Sequence, residues 1–203
     1  MMCAMNDVSS PTHLAEARAV LDVIRRRRTV DIGTLRPDPV RREVLEAILT
    51  AGTWAPTHGL TQPWHFTVFT GEARSRLGEI FARAHAAGSA PDRESKAALD
   101  AQRARALKAP VWISLELHIP ADSKFPEWEE HAALSSAAQN MLLAATAFGL
   151  VGKWASGAVM VSPVTAQALG APSLLGFIYL GYPAGEVPDS RRAPLSEKVT
   201  WAE

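Results

Sequence analysis

The feature that most constrains the fold is an alanine-rich, largely apolar segment from Glu129 to Phe148. Its length and composition predict a helix, and the following Gly149 provides the backbone conformation in which helices end. Because its many alanines permit close approach of neighbouring elements, we predict that it is the central helix. The longest nearly apolar run, Met141 to Gly152, is well short of the ~20 residues needed to span a bilayer, so we expect no membrane crossing.

Shorter periodic segments flank this helix on both sides. Apolar residues at three- and four-residue steps predict amphipathic helices, whereas runs of aromatic and β-branched residues predict strands. The predicted helices run from Leu14 to Arg28, from a cap at Asp38-Pro39 to Gly52, from Thr70-Gly71-Glu72 past Ala84, within Pro91 to Lys108, and from Ser162-Pro163 to Gly170. The predicted strands run from Trp64 to Thr70, from Val111 to Ile119, from Val151 to Ala155 and from Leu174 to Leu180.

Composition indicates one globular domain. The chain has 203 residues, of which 47% are hydrophobic, and no break in composition divides it. We expect residues 1–13 to form a flexible tail and residues 14–203 to form the domain, whose end after Pro183 frays or packs on a partner. The 21 basic side chains balance the 21 acidic ones, which argues against a nucleic-acid partner. The single cysteine, Cys3, excludes an intramolecular disulfide, and a cytoplasmic location fits best.

Motifs of several common enzyme classes are absent from the sequence. It contains no G-x-x-x-x-G-K-[ST] phosphate loop, no G-x-G-x-x-G after a strand, no H-E-x-x-H and no G-x-S-x-G. Nucleoside triphosphatases, Rossmann enzymes, zincin metalloproteases and α/β-hydrolases are therefore disfavoured. The six histidines are scattered, with no two spaced for one helical face, so we predict no metal site.

Two segments have the chemistry of ligand contacts, each with a structural alternative. The run from Arg25 to Arg28, followed by Thr29, suits a phosphate because guanidinium groups bind phosphate oxygens bidentately. The alternative is a basic helix C-terminus favoured by the helix dipole. The segment from Trp54 to Trp64 contains two prolines and several polar side chains, which is typical of a rigid loop that holds a flat heteroaromatic ligand. The alternative is a connection whose tryptophans fill the core.

Two further motifs are less specific. From Trp154 to Gly157 a strand end passes into a Ser-Gly turn, where small residues let backbone N–H groups approach a ligand. From Trp128 to His131 carboxylates and an imidazole are suited to proton transfer, although a capped, solvated helix start is the preferred interpretation.

Taken in order, these pieces resemble the FMN-dependent nitroreductase family, in particular its small single-domain branch of NAD(P)H nitroreductases. The resemblance covers about Leu14 to Leu195 and depends on the order and spacing of several motifs together. The matching residues are Arg27-Arg28-Thr29, Ala55-Pro56-Thr57-His58, Gln62-Pro63-Trp64, residues 139–145 with Gly149-Leu150, Trp154-Ala155-Ser156-Gly157, and residues 176–183.

The resemblance implies an α+β fold with a mostly antiparallel sheet flanked by helices. It also implies an interlocked homodimer with two FMN molecules at the subunit interface. In that dimer the C-terminal tail of each subunit would pack on its partner. Arg27, Arg28 and Thr29 would hold the FMN phosphate, ribityl chain and flavin pyrimidine edge, and Arg192 would add phosphate contacts.

Other contacts implied by the resemblance come from two loops. The loop with Trp54, His58 and Gln62 would reach the flavin from the other subunit. The flavin ring would be lined, on the side where hydride reaches N5, by Trp154, Ala155, Ser156 and Gly157.

The implied activity is that of an FMN-dependent oxidoreductase. By a ping-pong sequence, hydride would pass from NAD(P)H through flavin N5 to nitroaromatic, quinone or similar electron-poor acceptors, with no residue assigned as a catalytic acid. One alternative is a dehalogenase or ring dehydrogenase of the same fold, with a lid from His85 to Lys108 or from Pro120 to Trp128. Another is a non-catalytic FMN-binding or storage protein, since Trp54 and Ala155 stand where the branch often has arginine.

Overall fold

The computed structural model describes residues 11–89 and 95–202 of the chain; residues 1–10 of the predicted tail over residues 1–13 lie outside them, as do residues 90–94 and 203. Within these ranges the helices are α1 (Pro11–Arg26), α2 (Arg42–Thr53), α3 (Ala73–Gly88), α4 (Lys96–Leu107), α5 (Glu127–Ala147) and α6 (Pro163–Leu169). The strands are β1 (Trp64–His65), β2 (Val68–Phe69), β3 (Val111–Leu117), β4 (Val151–Ala155) and β5 (Ser173–Gly181). No helix within the described ranges is long and apolar enough to cross a membrane.

The five strands form one sheet in the order β1-β3-β5-β4, and β2 pairs with β3 beside β1. Each of these strand pairs is antiparallel. Helices cover both faces of the sheet, since buried residues of α2 and α5 pack on one face and buried residues of α3, α4 and α6 on the other. The predicted α+β class, with a mostly antiparallel sheet flanked by helices, is therefore confirmed.

Strand β3 runs through the middle of the sheet, and all seven of its residues are buried. Successive side chains of a strand point to opposite faces, so Val111 and Ile113 join the core beneath α5, while Trp112 joins the core beneath α3. On the α3 side Phe177 makes edge-to-face contacts with Phe81 and Trp112, at centroid distances of 5.4 and 6.3 Å. Such aromatic pairs each contribute about 0.5–1.5 kcal/mol beyond the area they bury.

The predicted central helix is confirmed as α5. It packs on α2, where Gly52 lies so close that an added Cβ would stand 2.8 Å from the Met141 Cγ. A small residue at this position therefore allows the two helices to approach, as the alanine content of α5 does from its own side. The helix ends before Gly149, whose φ of +75° is the left-handed conformation that glycine adopts without strain.

Some predicted boundaries are wrong. Asp38 does not cap α2, which begins at Arg42 after Arg41; the Asp38 carboxylate instead accepts a hydrogen bond of 2.8 Å from the Arg36 Nε. Helix α1 begins at Pro11, three residues earlier than predicted and within the predicted tail, and it ends at Arg26, two residues earlier than predicted. The strand predicted from Trp64 to Thr70 is divided into β1 and β2, because the Thr67 N–H donates to the Ser114 Oγ rather than to a backbone carbonyl.

Candidate functional site

The segment after α1 is fixed along the outer edge of the sheet. Thr29 forms a parallel bridge with Gly152 of the edge strand β4, and the Val30 N–H donates to the Gly152 carbonyl at 3.4 Å. The buried Tyr179 hydroxyl donates to the Val30 carbonyl at 2.8 Å. A Cβ at Gly152 would stand 2.0 Å from the Tyr179 carbonyl oxygen, so this close approach requires glycine. The backbone that carries Arg27 to Thr29 is thus held in place by the sheet.

Three of the predicted residues, Arg27, Arg28 and Arg192, line one cavity of about 430 Å³. The pKa of Arg27 is lowered by its burial and then by the positive charges of Arg192 and Arg28, yet arginine stays protonated at neutral pH. The other lining residues, none of them acidic, are Ile24, Arg25, Gln139 and Ser190. We call this set the arginine corner; it concentrates positive charge in a concave site, which favours an anionic group.

Arg28 differs from Arg27 in how its guanidinium is used. Its Nε donates to the Pro188 carbonyl at 3.1 Å, and another nitrogen lies 3.6 Å from the Asp189 carboxylate. It also donates to the carbonyl of Arg27 at 3.0 Å and to that of Arg25. Arg28 therefore ties the C-terminal segment to the end of α1, whereas Arg27 makes one long contact of 3.4 Å with the Thr29 hydroxyl.

The predicted polar loop lies against the N-terminal end of α5. The His58 ring stacks on Phe125 at 3.8 Å, and its Nδ1 lies 2.5 Å from the Glu129 carboxylate. The Thr61 hydroxyl donates to the Glu130 carboxylate at 2.7 Å. Glu129 and Glu130 thus hold the loop in place. These two carboxylates of the segment from Trp128 to His131 therefore have a structural role.

The same loop leaves apolar surface in solvent. Trp54 is 81% exposed, so it does not fill the core. Leu60 and Gln62 adopt φ of +57° and +47°, a left-handed conformation that is uncommon and strained for residues other than glycine. A cavity of about 330 Å³ opens beside the loop between His58 and Trp128.

The turn after β4 presents backbone rather than side chains. The Trp154 indole N–H donates to the Leu175 carbonyl at 2.9 Å, and the Ala155 side chain is buried. Ser156 and Gly157, by contrast, are exposed. Among the four predicted contacts in this motif, Ser156 and Gly157 are exposed, Trp154 is half-buried and Ala155 is buried.

The structure brings together only part of the predicted site. Thr29, the arginine corner and the turn after β4 lie along one edge of the sheet, whereas the loop with Trp54, His58 and Gln62 leads into β1 at the other edge. Three strand spacings separate β1 from β4, which is roughly 14 Å. Within one chain, the two groups of predicted residues do not meet.

One cluster was missed by the sequence interpretation. His65, Glu116 and His118 converge so that one donor atom from each lies within 4.8 Å of the others. Burial tends to raise the pKa of Glu116, but hydrogen bonds from Ser114, Thr67 and His65 outweigh it and lower the pKa below its usual value. The positions 65 and 116 become neighbours only through the pairing of β1 with β3, which no local pattern predicts.

Comparison with known proteins defines the class of this chain. Residues 24–182, which are well over half of the chain, match the Nitroreductase family. The chain is also 36% identical over 155 residues to "Putative NAD(P)H nitroreductase YdjA" of Escherichia coli (strain K12), a match that covers 75% of this chain and 82% of that protein. The chain therefore belongs to the nitroreductase family.

Solved structures agree with this assignment. A nitroreductase-like family protein from Bacillus cereus superposes with a TM-score of 0.77 at 24% identity, over 98% of this chain and 100% of that one. The FMN-dependent nitroreductase NfnB from Mycobacterium smegmatis, solved in complex with NADPH, superposes with a TM-score of 0.69 at 25% identity, over 93% and 100%.

Proposed function

We propose that this chain is an FMN-dependent oxidoreductase that takes electrons from NAD(P)H and reduces electron-poor acceptors such as nitroaromatics or quinones. FMN held by Arg27, Arg28 and Thr29 would supply the redox chemistry, which is hydride transfer from the nicotinamide to the acceptor in two separate half-reactions. The protein supplies binding, orientation and a positive environment. The observation that carries the proposal is the arginine corner beside a fixed strand edge in a chain of this family.

The residues of the arginine corner fit the phosphate of FMN. Arg27 and Arg192 line the cavity, whereas the Arg28 guanidinium also lies 3.6 Å from the Asp189 carboxylate. A cavity of about 430 Å³ is also within the size range of small-molecule sites. Thr29, held against β4, would face the ribityl chain and the flavin pyrimidine edge, and the exposed backbone at Ser156 and Gly157 would line the ring.

We further propose that a second copy of the chain completes this site. The separation of the loop with Trp54, His58 and Gln62 from the arginine corner within one chain supports a homodimer in which each subunit supplies half of the contacts. The exposure of Trp54, Leu60, Trp128 and Trp201 also supports it, because large exposed apolar side chains are typical of surfaces that another chain covers.

Anaerobic stopped-flow mixing tests the oxidoreductase proposal. The FMN-loaded protein is mixed with NADPH and, separately, with NADH, and the loss of flavin absorbance is followed. We expect at least one of the two to bleach the flavin, and a second mix with a quinone or nitroaromatic to restore it. If neither nucleotide reduces the bound flavin within minutes, the protein binds FMN without turnover and the enzyme assignment is wrong.

A further inference from the structure

We propose that His65, Glu116 and His118 form a binding site for a divalent transition-metal ion of the zinc class. The three residues lie where the edge strand β1 pairs with β3, whereas the arginine corner lies beside β4 at the opposite edge. The site is a separate feature from the flavin site proposed above, and its test does not depend on that proposal.

The sheet register places the three side chains on one face. His65 in β1 is the direct cross-strand partner of Glu116 in β3. His118 follows Glu116 by two residues, and side chains two positions apart along an extended strand point to the same side. The backbone continues the pairing there, because the His118 N–H donates to the Pro63 carbonyl at 2.7 Å.

The donor atoms have the separations that a small metal ion requires. The Glu116 Oε2 lies 2.9 Å from the His65 Nδ1 and 3.4 Å from the His118 Nε2. Zinc binds imidazole nitrogen and carboxylate oxygen at ~2.0–2.1 Å in a tetrahedron, which places neighbouring donors about 3.3 Å apart. Small side-chain adjustments would therefore bring all three donors to one ion.

The carboxylate is held in place from behind. The Ser114 hydroxyl donates to the Glu116 Oε1 at 2.5 Å, which leaves Oε2 to face the two imidazoles. The Ser114 Oγ in turn accepts the Thr67 N–H at 2.8 Å. Carboxylates that bind metal ions in proteins are commonly held by a hydrogen bond from a neighbouring group, which fixes the orientation of the donor atom. Ser114 would have this role here.

The carboxylate of the cluster is buried and its two imidazoles are partly exposed, which suits a metal site that an ion enters from solvent. Glu116 is 1% exposed, so its charge is compensated by nearby groups rather than by water, and a bound cation would do this directly. The side chains of His65 and His118 are 61% and 39% exposed, which gives an ion access from solvent. Two imidazoles select zinc, copper, nickel or iron over magnesium and calcium, and three donors leave a fourth position for water.

The expected role of the ion is to fasten β1 to β3. Strand β1 has only two residues, and it directly follows the loop with Trp54, His58 and Gln62. A bond through the metal from His65 to Glu116 and His118 would hold the end of that loop to the buried centre of the sheet.

Isothermal titration calorimetry of the untagged full-length protein with Zn²⁺, after treatment with a chelator and desalting, tests the site. We expect one Zn²⁺ per chain. His65→Gln and His118→Gln should each weaken binding at least about tenfold, since loss of even a supporting partner costs 10–100-fold. His131→Gln is the matched control, because the His131 side chain is 41% exposed, lies 3.5 Å from the Glu127 carboxylate on α5 and is not part of the cluster.

Circular dichroism and a melting curve without zinc show whether each variant is folded. The substituted rings are partly exposed, so we expect wild-type melting temperatures in the absence of metal and a zinc-dependent rise only in the wild type and His131→Gln. The absence of Zn²⁺ binding, or equal binding by a His65→Gln/His118→Gln double variant, would overturn the proposal and leave a hydrogen-bonded cluster. Mg²⁺ should give no heat at the same concentration.

Discussion

The interior of the sheet and its edges, which we call the rim, differ in how completely side chains of the same chain bury them. Every residue of β3 is buried, and Trp112 and Phe177 are fully enclosed by side chains of the same chain. By contrast, Trp54, before the edge strand β1, and Trp201, in the C-terminal segment, are 81% and 80% exposed. Because large apolar side chains are costly in water, the chain completes its core alone, whereas the proposed dimer would cover these two tryptophans.

The largest effect is expected from a substitution in the interior. Phe177→Ala removes a fully buried ring and its contacts with Phe81 and Trp112, and it should lower the free energy of unfolding by about 3–5 kcal/mol. Phe148→Ala is the matched control, because that ring is 47% exposed and should cost about 1 kcal/mol or less. Urea unfolding at fixed protein concentration measures both. Equal costs would contradict the distinction between interior and rim.

At the rim, the largest effect should be on ligand binding rather than on folding. Arg27→Ala removes charge-assisted hydrogen bonds worth about 1.5–3 kcal/mol, so it should weaken FMN binding by about 10- to 100-fold. Arg42→Ala is the control, since Arg42 forms an exposed pair with Glu46 and does not line the arginine corner. Flavin fluorescence titration gives both dissociation constants. An unchanged constant for Arg27→Ala would refute its assignment to the phosphate.

Tyr179 connects the two regions, because its buried hydroxyl donates to the Val30 carbonyl beside the arginine corner. Tyr179→Phe should cost about 1–2 kcal/mol of stability. Burial, and then the Asp31 carboxylate, raise the pKa of Tyr179 from 10.0 to about 12. The folded state favours the neutral phenol, so this contribution is fully present below pH 10 and is lost as the pH rises toward 12.

Unfolding as a function of pH tests this prediction. In Tyr179→Phe the free energy of unfolding should fall less steeply above pH 10 than in the wild type. Tyr182→Phe leaves the bond between Tyr179 and Val30 intact and should keep the wild-type alkaline loss. Identical alkaline profiles for Tyr179→Phe and the wild type would contradict the role given to the buried hydroxyl.

The smallest effect on the fold is expected at the exposed tail. Trp201→Ala should change the stability of the single chain by less than about 0.5 kcal/mol. It should nevertheless weaken the proposed dimer, since an exposed tryptophan is a frequent anchor of interfaces. Sedimentation equilibrium over a range of concentrations measures the association, with the exposed Lys198→Ala as the control. A wild-type protein that is monomeric throughout the range would contradict the dimer.

Local patterns predicted most of the helices and the central strands. The helix predicted past Ala84 is α3, and its buried Leu77, Ile80, Phe81 and Ala84 recur at the three- and four-residue steps on which that prediction depends. Asp38 was wrongly taken as a helix cap, since its carboxylate bonds Arg36 instead and the choice between partners depends on tertiary geometry. The division of β1 from β2 depends in the same way on Ser114, a residue 47 positions from Thr67.

The site was predictable where its residues adjoin in sequence or match a family motif. Arg27 and Arg28 were found from a run of arginines, and Arg192 was found from the resemblance; the structure places all three in one cavity. The structural use of Arg28 was not foreseen, because it depends on where the C-terminal segment returns. Their contacts with FMN stay predictions, as do a cytoplasmic location and the flexible N-terminal tail.

The most direct test of the central claim is the visible absorption spectrum of the purified protein before and after incubation with FMN and desalting. Bound oxidised flavin gives two bands that the polypeptide alone cannot produce. We expect both bands to stay with the protein, at one FMN per chain, and Arg27→Ala to lose them on desalting. No retained flavin even after saturating FMN would contradict the proposal that this chain is a flavin-dependent oxidoreductase.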